Sequence, residues 1–310
     1  MMTSAGLVRF AVGALLLAAC TDASHNVESA GDAAAPAPHI DWSAVAAALG
    51  RPGVAQPGDV HRFGMPRSDL TVTSHGVSIQ PALALGSWVA FKARAAGDAV
   101  MMGDLVLTEH ELNPVLERLQ QGGVSQTAIH KHLLDEEPAI WWTHVHGHGD
   151  PVQLAQTLRA ALALTATPPG TPAATATPLE LDTAQIRAII GHSGRATGGV
   201  YNVSVPRAET IRAMGIEVPP SMGVSTVMNF QPTGGNRAAI NGDFVMVAAE
   251  IPDVVQALRT NGINVVSLHN HLTDEEPRLF FMHFWAHDDA VALARGLRTA
   301  LDRTNSRRAP

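Results

Sequence analysis

The sequence contains one unit twice, and this repetition constrains the fold more than any other feature. The segments HKHLLDEEPAIWWTHVHGHGD (130–150) and HNHLTDEEPRLFFMHFWAHDD (269–289) are identical at ten of 21 positions without a gap. The match extends outward, because MMGDLVL at 101–107 corresponds to INGDFVM at 240–246. Self-similarity over such a distance predicts two copies of one structural unit.

Stretches rich in alanine, proline and threonine separate the two copies from each other and from the N-terminus. Such stretches carry little apolar material to bury and are typical of linkers. The sequence therefore predicts five segments: a signal peptide at 1–20, a flexible tether at 21–39, a first repeat domain at 40–164, a linker at 165–178 and a second repeat domain at 179–304.

Both copies allow the same order of secondary structure. Apolar alternation predicts strands, and Asn-Pro or Asp-Pro pairs predict helix starts. In the first copy this gives strands over 87–94 and 99–109, a helix from Asn113-Pro114 to Gly122-Gly123, a hairpin of 124–132 and 139–148, and a helix after Asp150-Pro151. The predicted fold class is α+β, with two ββαββα units whose antiparallel sheets are covered on one face by helices. The pattern also allows a further N-terminal strand pair.

Histidines cluster on the two predicted hairpins. Side chains two apart on a strand share a face, so His130 and His132 lie together, as do His144 and His148, and the hairpin brings these faces close. His146 corresponds to Trp285 in the second copy and is expected to be peripheral. With a carboxylate from each connecting turn, the predicted metal ligands are His130, His132, Glu136, His144 and His148 in the first copy and His269, His271, Glu275, His283 and His287 in the second.

Imidazole and carboxylate ligands suit a divalent transition metal such as Zn, Mn, Fe, Cu or Ni. The single cysteine excludes cysteine-rich metal sites. A small ligand, a purely structural histidine network and catalysis without metal remain as alternatives. If a metal-bound water were activated, Glu137 or Glu276 would be candidate general bases, but no catalytic residue follows from the sequence and enzymatic activity stays open.

The N-terminus predicts a lipid anchor. The apolar run FAVGALLLAA ends at Cys20, the only cysteine, and is too short to span a bilayer. Its end, Leu17-Ala18-Ala19-Cys20, resembles the lipobox of bacterial lipoproteins, and this resemblance implies that Cys20 is lipidated. Lipidation of Cys20 would hold the protein on the extracytoplasmic side of a bacterial membrane, in the cell envelope, with the choice of inner or outer membrane left open. The formal net charge of -7 gives no general attraction to nucleic acid, which is therefore not an expected partner.

The motifs GDLVLTEHELNPV, HKHLLDEEP and WWTHVHGHGDPVQLA, and the longer run from Asn241 to Leu301, resemble the LppY/LpqO-type family of bacterial lipoproteins. The resemblance covers about residues 42–303 and implies lipoprotein status and a duplicated domain, without implying an activity or a cofactor. The sequence thus predicts an envelope lipoprotein of unknown activity whose hairpins bind a metal or small ligand. The alternative is a non-catalytic envelope module with structural histidines that binds a protein partner or envelope ligand.

Overall fold

The structure is a computed structural model that describes residues 40–95, 97–170 and 179–308. Cys20, the predicted signal peptide, the predicted tether and positions 171–178 of the predicted linker lie outside the described residues. Among the helices of the described ranges, none combines the length and the apolar character needed to cross a bilayer.

The two repeats build nearly the same series of elements. The first repeat consists of α1 (Trp42–Leu49), β1 (Val54–Gln56), β2 (Val60–Pro66), β3 (Thr73–Ser74), β4 (Val77–Ser78), α2 (Pro81–Ala84), β5 (Gly86–Ala95), β6 (Asp98–Thr108), α3 (Glu109–Gln121), β7 (Ser125–His130), β8 (Glu136–Glu137), β9 (Ile140–Gly149) and α4 (Pro151–Leu162). The second consists of α5 (Thr183–Ile190), β10 (Gly194–Thr197), β11 (Val200–Pro206), β12 (Arg212–Ala213), β13 (Ile216–Glu217), β14 (Ser225–Gly234), β15 (Arg237–Met246), α6 (Ile251–Thr260), β16 (Asn264–His269), β17 (Phe280–Asp289) and α7 (Ala290–Leu301), with 3-10 turns at Pro220–Met222 and Ala248–Glu250. Within the described residues, the second repeat has a 3-10 turn in place of α2 and no counterpart of β8.

The two repeats form two equivalent antiparallel sheets of six strands. Their strand orders are β1-β2-β5-β6-β9-β7 and β10-β11-β14-β15-β17-β16. The predicted hairpin is present in the first repeat, because β7 pairs with β9 and His130 lies opposite Trp142. The additional N-terminal strand pair is also present, as β1 and β2.

The long helices cover one face of each sheet, and the other two faces pack against each other. Along β6, Leu105 and Leu107 join the core under the first repeat's helices, whereas Met102 and Val106 belong to cores that contain residues of both repeats. This alternation is the expected period of two for a strand buried on both faces. The molecule is therefore layered as helices, sheet, sheet and helices, and the α+β prediction with antiparallel sheets is confirmed.

One predicted helix boundary is wrong. Helix α3 begins at Glu109, four residues before the predicted start at Asn113, and Pro114 lies inside it. The reason is a capping interaction, since Glu111 Oε2 accepts a hydrogen bond from the Thr108 backbone N–H at 2.9 Å. The start of α4 agrees with the prediction, because Asp150 caps it by accepting from the Val152 N–H at 2.8 Å.

Gly103 lies at a close approach of two central strands, and this yields a testable prediction. A Cβ added at Gly103 would lie 2.3 Å from the Trp88 carbonyl oxygen, so β5 and β6 would have to separate. We expect Gly103→Ala to lower the free energy of unfolding by about 1–3 kcal/mol, measured by urea titration. The control is Gly64→Ala in β2, where a Cβ meets no atom within 4 Å, with an expected change within about 0.5 kcal/mol. Equal urea midpoints for the two variants would contradict this account.

Candidate metal centre

Six histidines and two aspartates meet between the two sheets. Strand pairing explains the half contributed by the first repeat: Asp104 lies opposite His144 in the β6–β9 pair, so their side chains share a face. His130 lies opposite Trp142, two residues before His144, and shares that face too. The equivalent pairing of β15 with β17 places Asp243 opposite His283. The complete cluster, called the central cluster below, is Asp104, His130, His132, His144, Asp243, His269, His271 and His283.

The histidine rings contact one another across the boundary between the repeats. The ring centroids of His130 and His269 are 3.9 Å apart. Those of His132 and His283 are 3.7 Å apart, and those of His144 and His271 are 3.8 Å apart. Seven of the eight residues are buried, and the side chain of His132 is only 11% exposed. The central cluster is thus one interior site built by both repeats.

Backbone carbonyls orient three of the rings. The Nδ1 atom of His144 lies 3.2 Å from the Gly103 carbonyl oxygen, and that of His283 lies 2.7 Å from the Gly242 oxygen. His271 Nδ1 makes the same contact with Gly223 at 2.8 Å. Because a carbonyl only accepts, Nδ1 carries the proton in each ring and Nε2 presents a lone pair to the cluster. This arrangement is typical of metal-ligating histidine.

Several of these atoms have no hydrogen-bond partner. Within the described ranges, the side-chain atoms of the cluster that are buried without a partner are Asp104 Oδ1, His130 Nδ1, His144 Nε2, Asp243 Oδ1, His269 Nδ1 and His283 Nε2. They form the same three positions in each repeat. Buried polar atoms in folded proteins are nearly always paired, so six unpaired atoms at one place make this cluster a candidate ligand site.

The contact between His271 and Asp243 requires a proton or a cation between the two side chains. His271 Nε2 lies 3.0 Å from Asp243 Oδ2 and 3.2 Å from His269 Nε2. Since Nδ1 of His271 holds its proton toward Gly223, a neutral ring would direct a lone pair at a carboxylate. Either a proton or a metal cation must lie between the two groups. The first repeat has the matching contact between His132 Nε2 and Asp104 Oδ2 at 3.1 Å.

Burial keeps the histidines neutral, which is the form that binds metals. Desolvation, followed by the charge of His271, lowers the pKa of His144 to about 3, and desolvation lowers the pKa of His271 to about 4. Desolvation also raises the pKa of Asp243 to about 7 and raises that of Asp104. A bound cation would favour the ionised carboxylates.

The distances between possible ligand atoms are close to those that a first-row transition metal needs. Two ligands bound about 2.1 Å from one ion are separated by no more than about 4.2 Å. Among the residues that the structure describes, three groups have ligand atoms all within 4.8 Å of one another: His130, His269 and His283; His144, His269 and His271; and Asp104, His130 and His144. The donors are nitrogen and oxygen, which suit Zn, Mn, Fe, Cu or Ni.

Six of the ten residues predicted as ligands belong to the central cluster, and the two glutamates do not. Glu136 instead forms an ion pair with Lys131 and accepts from the Ile140 N–H at 3.2 Å. Glu275 accepts from the Leu279 N–H at 2.9 Å. The structure assigns both carboxylates to the connecting turns, where they satisfy neighbouring donors.

His148 and His287 also lie outside the cluster. Each is four residues beyond its strand's cluster histidine, a distance of about 13 Å along a strand. His148 is exposed, and His287 contacts Thr233 Oγ1 at 3.0 Å. Glu137 and Glu276, the candidate general bases, are exposed in the turns.

Sequence reasoning missed Asp104 and Asp243. A signal for them was present, because each is the one charged residue in an apolar strand segment that recurs in both copies, MMGDLVL and INGDFVM. Trp142 and Phe281 are buried, and they stack on His132 at 4.5 Å and on His271 at 3.5 Å, so they also form walls of the cluster.

Comparisons with known proteins agree with the duplication. A family model described as Domain of Unknown Function (DUF1259) matches residues 43–164 and again residues 184–303. No curated protein matches the chain. The LppY/LpqO-type resemblance is not tested by these findings and stays a prediction.

Two solved structures show a distant likeness. One is the double-ringed trimeric shell protein MSM0271 from the RMM microcompartment, with 12% identity, a TM-score of 0.20, and coverage of 67% of this chain and 84% of that one. The other is the trimeric bacterial microcompartment shell protein PduB, with 12% identity, a TM-score of 0.20, and coverage of 80% and 88%. A TM-score this low supports no inference about fold or function.

Proposed function

The chain belongs to the family of the Domain of Unknown Function (DUF1259), and we propose that its two repeats together bind a divalent transition metal in the central cluster. The observation that carries this proposal is the set of six buried, unpartnered nitrogen and oxygen atoms that both repeats contribute to one interior cluster. A buried polar atom without a partner costs about 1–3 kcal/mol, so a metal-free centre of this composition is expensive to maintain. A cation bound by the Nε2 atoms of His144 and His283 removes part of that cost.

The orientation of the rings supports the same proposal. A structural histidine needs only one good hydrogen bond for each protonated nitrogen. In the central cluster the carbonyl contacts are made on the outer side of His144, His271 and His283, which leaves their Nε2 atoms facing inward. Neutral, anchored imidazoles with inward lone pairs are suited to metal binding.

We propose in addition that the protein acts in the cell envelope, held on the extracytoplasmic side of a membrane by a lipid on Cys20. The support is the apolar run that ends at this single cysteine. If so, Cys20→Ser releases the protein from the membrane fraction after cell lysis, and the intact protein carries the added mass of acyl chains. A Cys20→Ser protein that remains membrane-bound would contradict the anchor.

Metal removal provides the direct test of binding. We expect the untagged protein without its anchor (residues 21–310) to contain Zn, Mn, Fe, Cu or Ni by elemental mass spectrometry and to melt at a lower temperature after chelation. Free metal at 100 times its Kd stabilises a folded protein by about 2.7 kcal/mol, so the shift should be several degrees.

Paired variants make the test specific. The double variant with His130→Ala and His269→Ala should lose the metal and the chelator-sensitive part of its stability. The control His148→Ala removes an exposed histidine on the same strand and should change neither. If no metal is found, none of the five metals binds when added, and chelator leaves the melting temperature unchanged, the histidines are structural and the alternative of a non-catalytic binding module stands.

A further inference from the structure

The geometry points to a centre of two metal ions, each ligated by residues of both repeats. This inference rests on the proposed function and specifies how many ions bind and which residues hold them. It differs from the arrangement expected from sequence, in which each hairpin binds its own metal.

The first argument is the spread of the ligand atoms. A single ion draws all its ligands within about 4.2 Å of one another. Among the described residues, the groups that meet even the looser limit of 4.8 Å contain three residues each, and the cluster offers eight. One ion would leave most of the cluster's residues without a bond to metal.

The second argument is the internal symmetry, which relates two sets of three histidines. One group consists of His144 from the first repeat with His269 and His271 from the second. Exchanging each residue for its counterpart in the other repeat gives His283 with His130 and His132, and these sets share no residue. The cross-repeat ring distances within the sets are 3.8 Å for His144 and His271 and 3.7 Å for His132 and His283. The two sets touch through His130 and His269, whose ring centroids are 3.9 Å apart, so the two ions would be close neighbours.

The third argument is the spacing within each set. Two ligands about 2.1 Å from one ion lie about 3.0–3.4 Å apart in octahedral or tetrahedral coordination. The Nε2 atoms of His130 and His132 are 3.0 Å apart, and those of His269 and His271 are 3.2 Å apart. Neither pair needs to move far to bind one ion.

Each set also has an aspartate carboxylate, at nearly the same distance from the second histidine of the His-X-His pair. Asp104 Oδ2 lies 3.1 Å from His132 Nε2, and Asp243 Oδ2 lies 3.0 Å from His271 Nε2. Each ion position therefore receives an aspartate and the His-X-His pair from one repeat and a single crossing histidine from the other. The crossing histidines are His283 for the first position and His144 for the second.

Metal stoichiometry tests the inference. The protein should bind two equivalents of one metal, for which Zn is the probe, by elemental mass spectrometry after removal of excess metal. His144→Ala and His283→Ala each delete one crossing ligand and should each reduce the content from two equivalents to about one. A wild-type content of one equivalent would overturn the two-ion centre and leave the proposed function intact, whereas no bound metal would overturn both.

A spectroscopic measurement on the unaltered protein removes the dependence on variants that fold poorly. Loaded with Cu(II), two ions a few ångströms apart should give a dipolar-broadened electron paramagnetic resonance spectrum with a half-field transition. His148→Ala, which retains all cluster residues, should give the same spectrum. A spectrum of isolated Cu(II) ions at full loading would overturn the inference, because it would place the ions too far apart to share one centre.

Discussion

Replacing Arg67 by alanine is expected to lower the free energy of unfolding by about 3–5 kcal/mol. Arg67 is fully buried, and its guanidinium donates to Asp69 at 2.8 Å and to Glu111 at 2.7 Å. It also donates to the Val106 carbonyl at 2.8 Å. Without it, two largely buried carboxylates lose their partner. Because Glu111 also caps α3, removing the Arg67 guanidinium should destabilise this helix as well as the sheet.

The second repeat contains the same arrangement around Arg207, which pairs with Glu209 and Glu250, so Arg207→Ala should have a similar effect. Arg94→Ala is the matched control, because Arg94 and Asp98 form a partly exposed pair that should contribute less than about 1 kcal/mol. Urea unfolding measures all three variants. A loss for Arg67→Ala no larger than that for Arg94→Ala would show that the buried network does not stabilise the fold.

The metal-free protein is expected to lose stability steeply as the pH falls below about 6.5, the pKa of an ordinary histidine. In the unfolded chain the cluster histidines take up protons near that pH. In the folded state burial lowers their pKa, to about 3 for His144 and about 4 for His271, so they stay neutral. Below pH 6.5 the unfolded state therefore binds more protons than the folded state. Each such histidine then lowers the free energy of unfolding by about 1.4 kcal/mol for every further pH unit.

The aspartates act in the opposite direction. Burial raises the pKa of Asp243 to about 7, so the folded state keeps this proton at a pH where the unfolded chain releases it. This carboxyl group therefore stabilises the folded state as the pH falls, which offsets the destabilisation by one histidine. Asp104 has a pKa raised in the same sense. The destabilisation by six histidines is larger than the stabilisation by two aspartates, so the folded state loses stability as the pH falls.

Thermal melts of metal-free protein at pH 7, 6 and 5 measure this effect. Saturating metal should move the loss of stability to lower pH, because protons must then displace the ion. A melting temperature of the metal-free protein that stays constant over this range would contradict the buried, neutral state of the histidines. The His148→Ala control should follow the wild-type curve, since His148 is exposed.

Local signals in the sequence predicted much of the fold. The repeat is visible when two segments of the sequence are compared. The paired strands and the start of α4 at Asp150-Pro151 depend on residues close together in the chain. The start of α3 was misplaced because Asn113-Pro114 resembles a helix start, whereas the Thr108 and Glu111 cap is the one the structure uses. Where two local signals compete, the sequence alone does not choose between them.

The centre was predicted only in part, because its assembly is not local. The His-X-His pairs were visible, and strand periodicity placed them on one face. The partners that complete them come from the other repeat, and no spacing in the sequence encodes that approach. The turn glutamates were favoured since they are nearest in the chain, but Lys131 and backbone donors already occupy them.

A centre shared by both repeats gives the connecting segment a thermodynamic role. Separate repeats would have to meet by diffusion to complete the histidine sets, at a cost that depends on their concentration. Placing both repeats in one chain replaces that encounter with an effective local concentration, which reaches the millimolar range for a short linker. The chain is in this respect a dimer contained in one polypeptide, and its halves are free to diverge, as His146 and Trp285 have done, while they remain obligate partners.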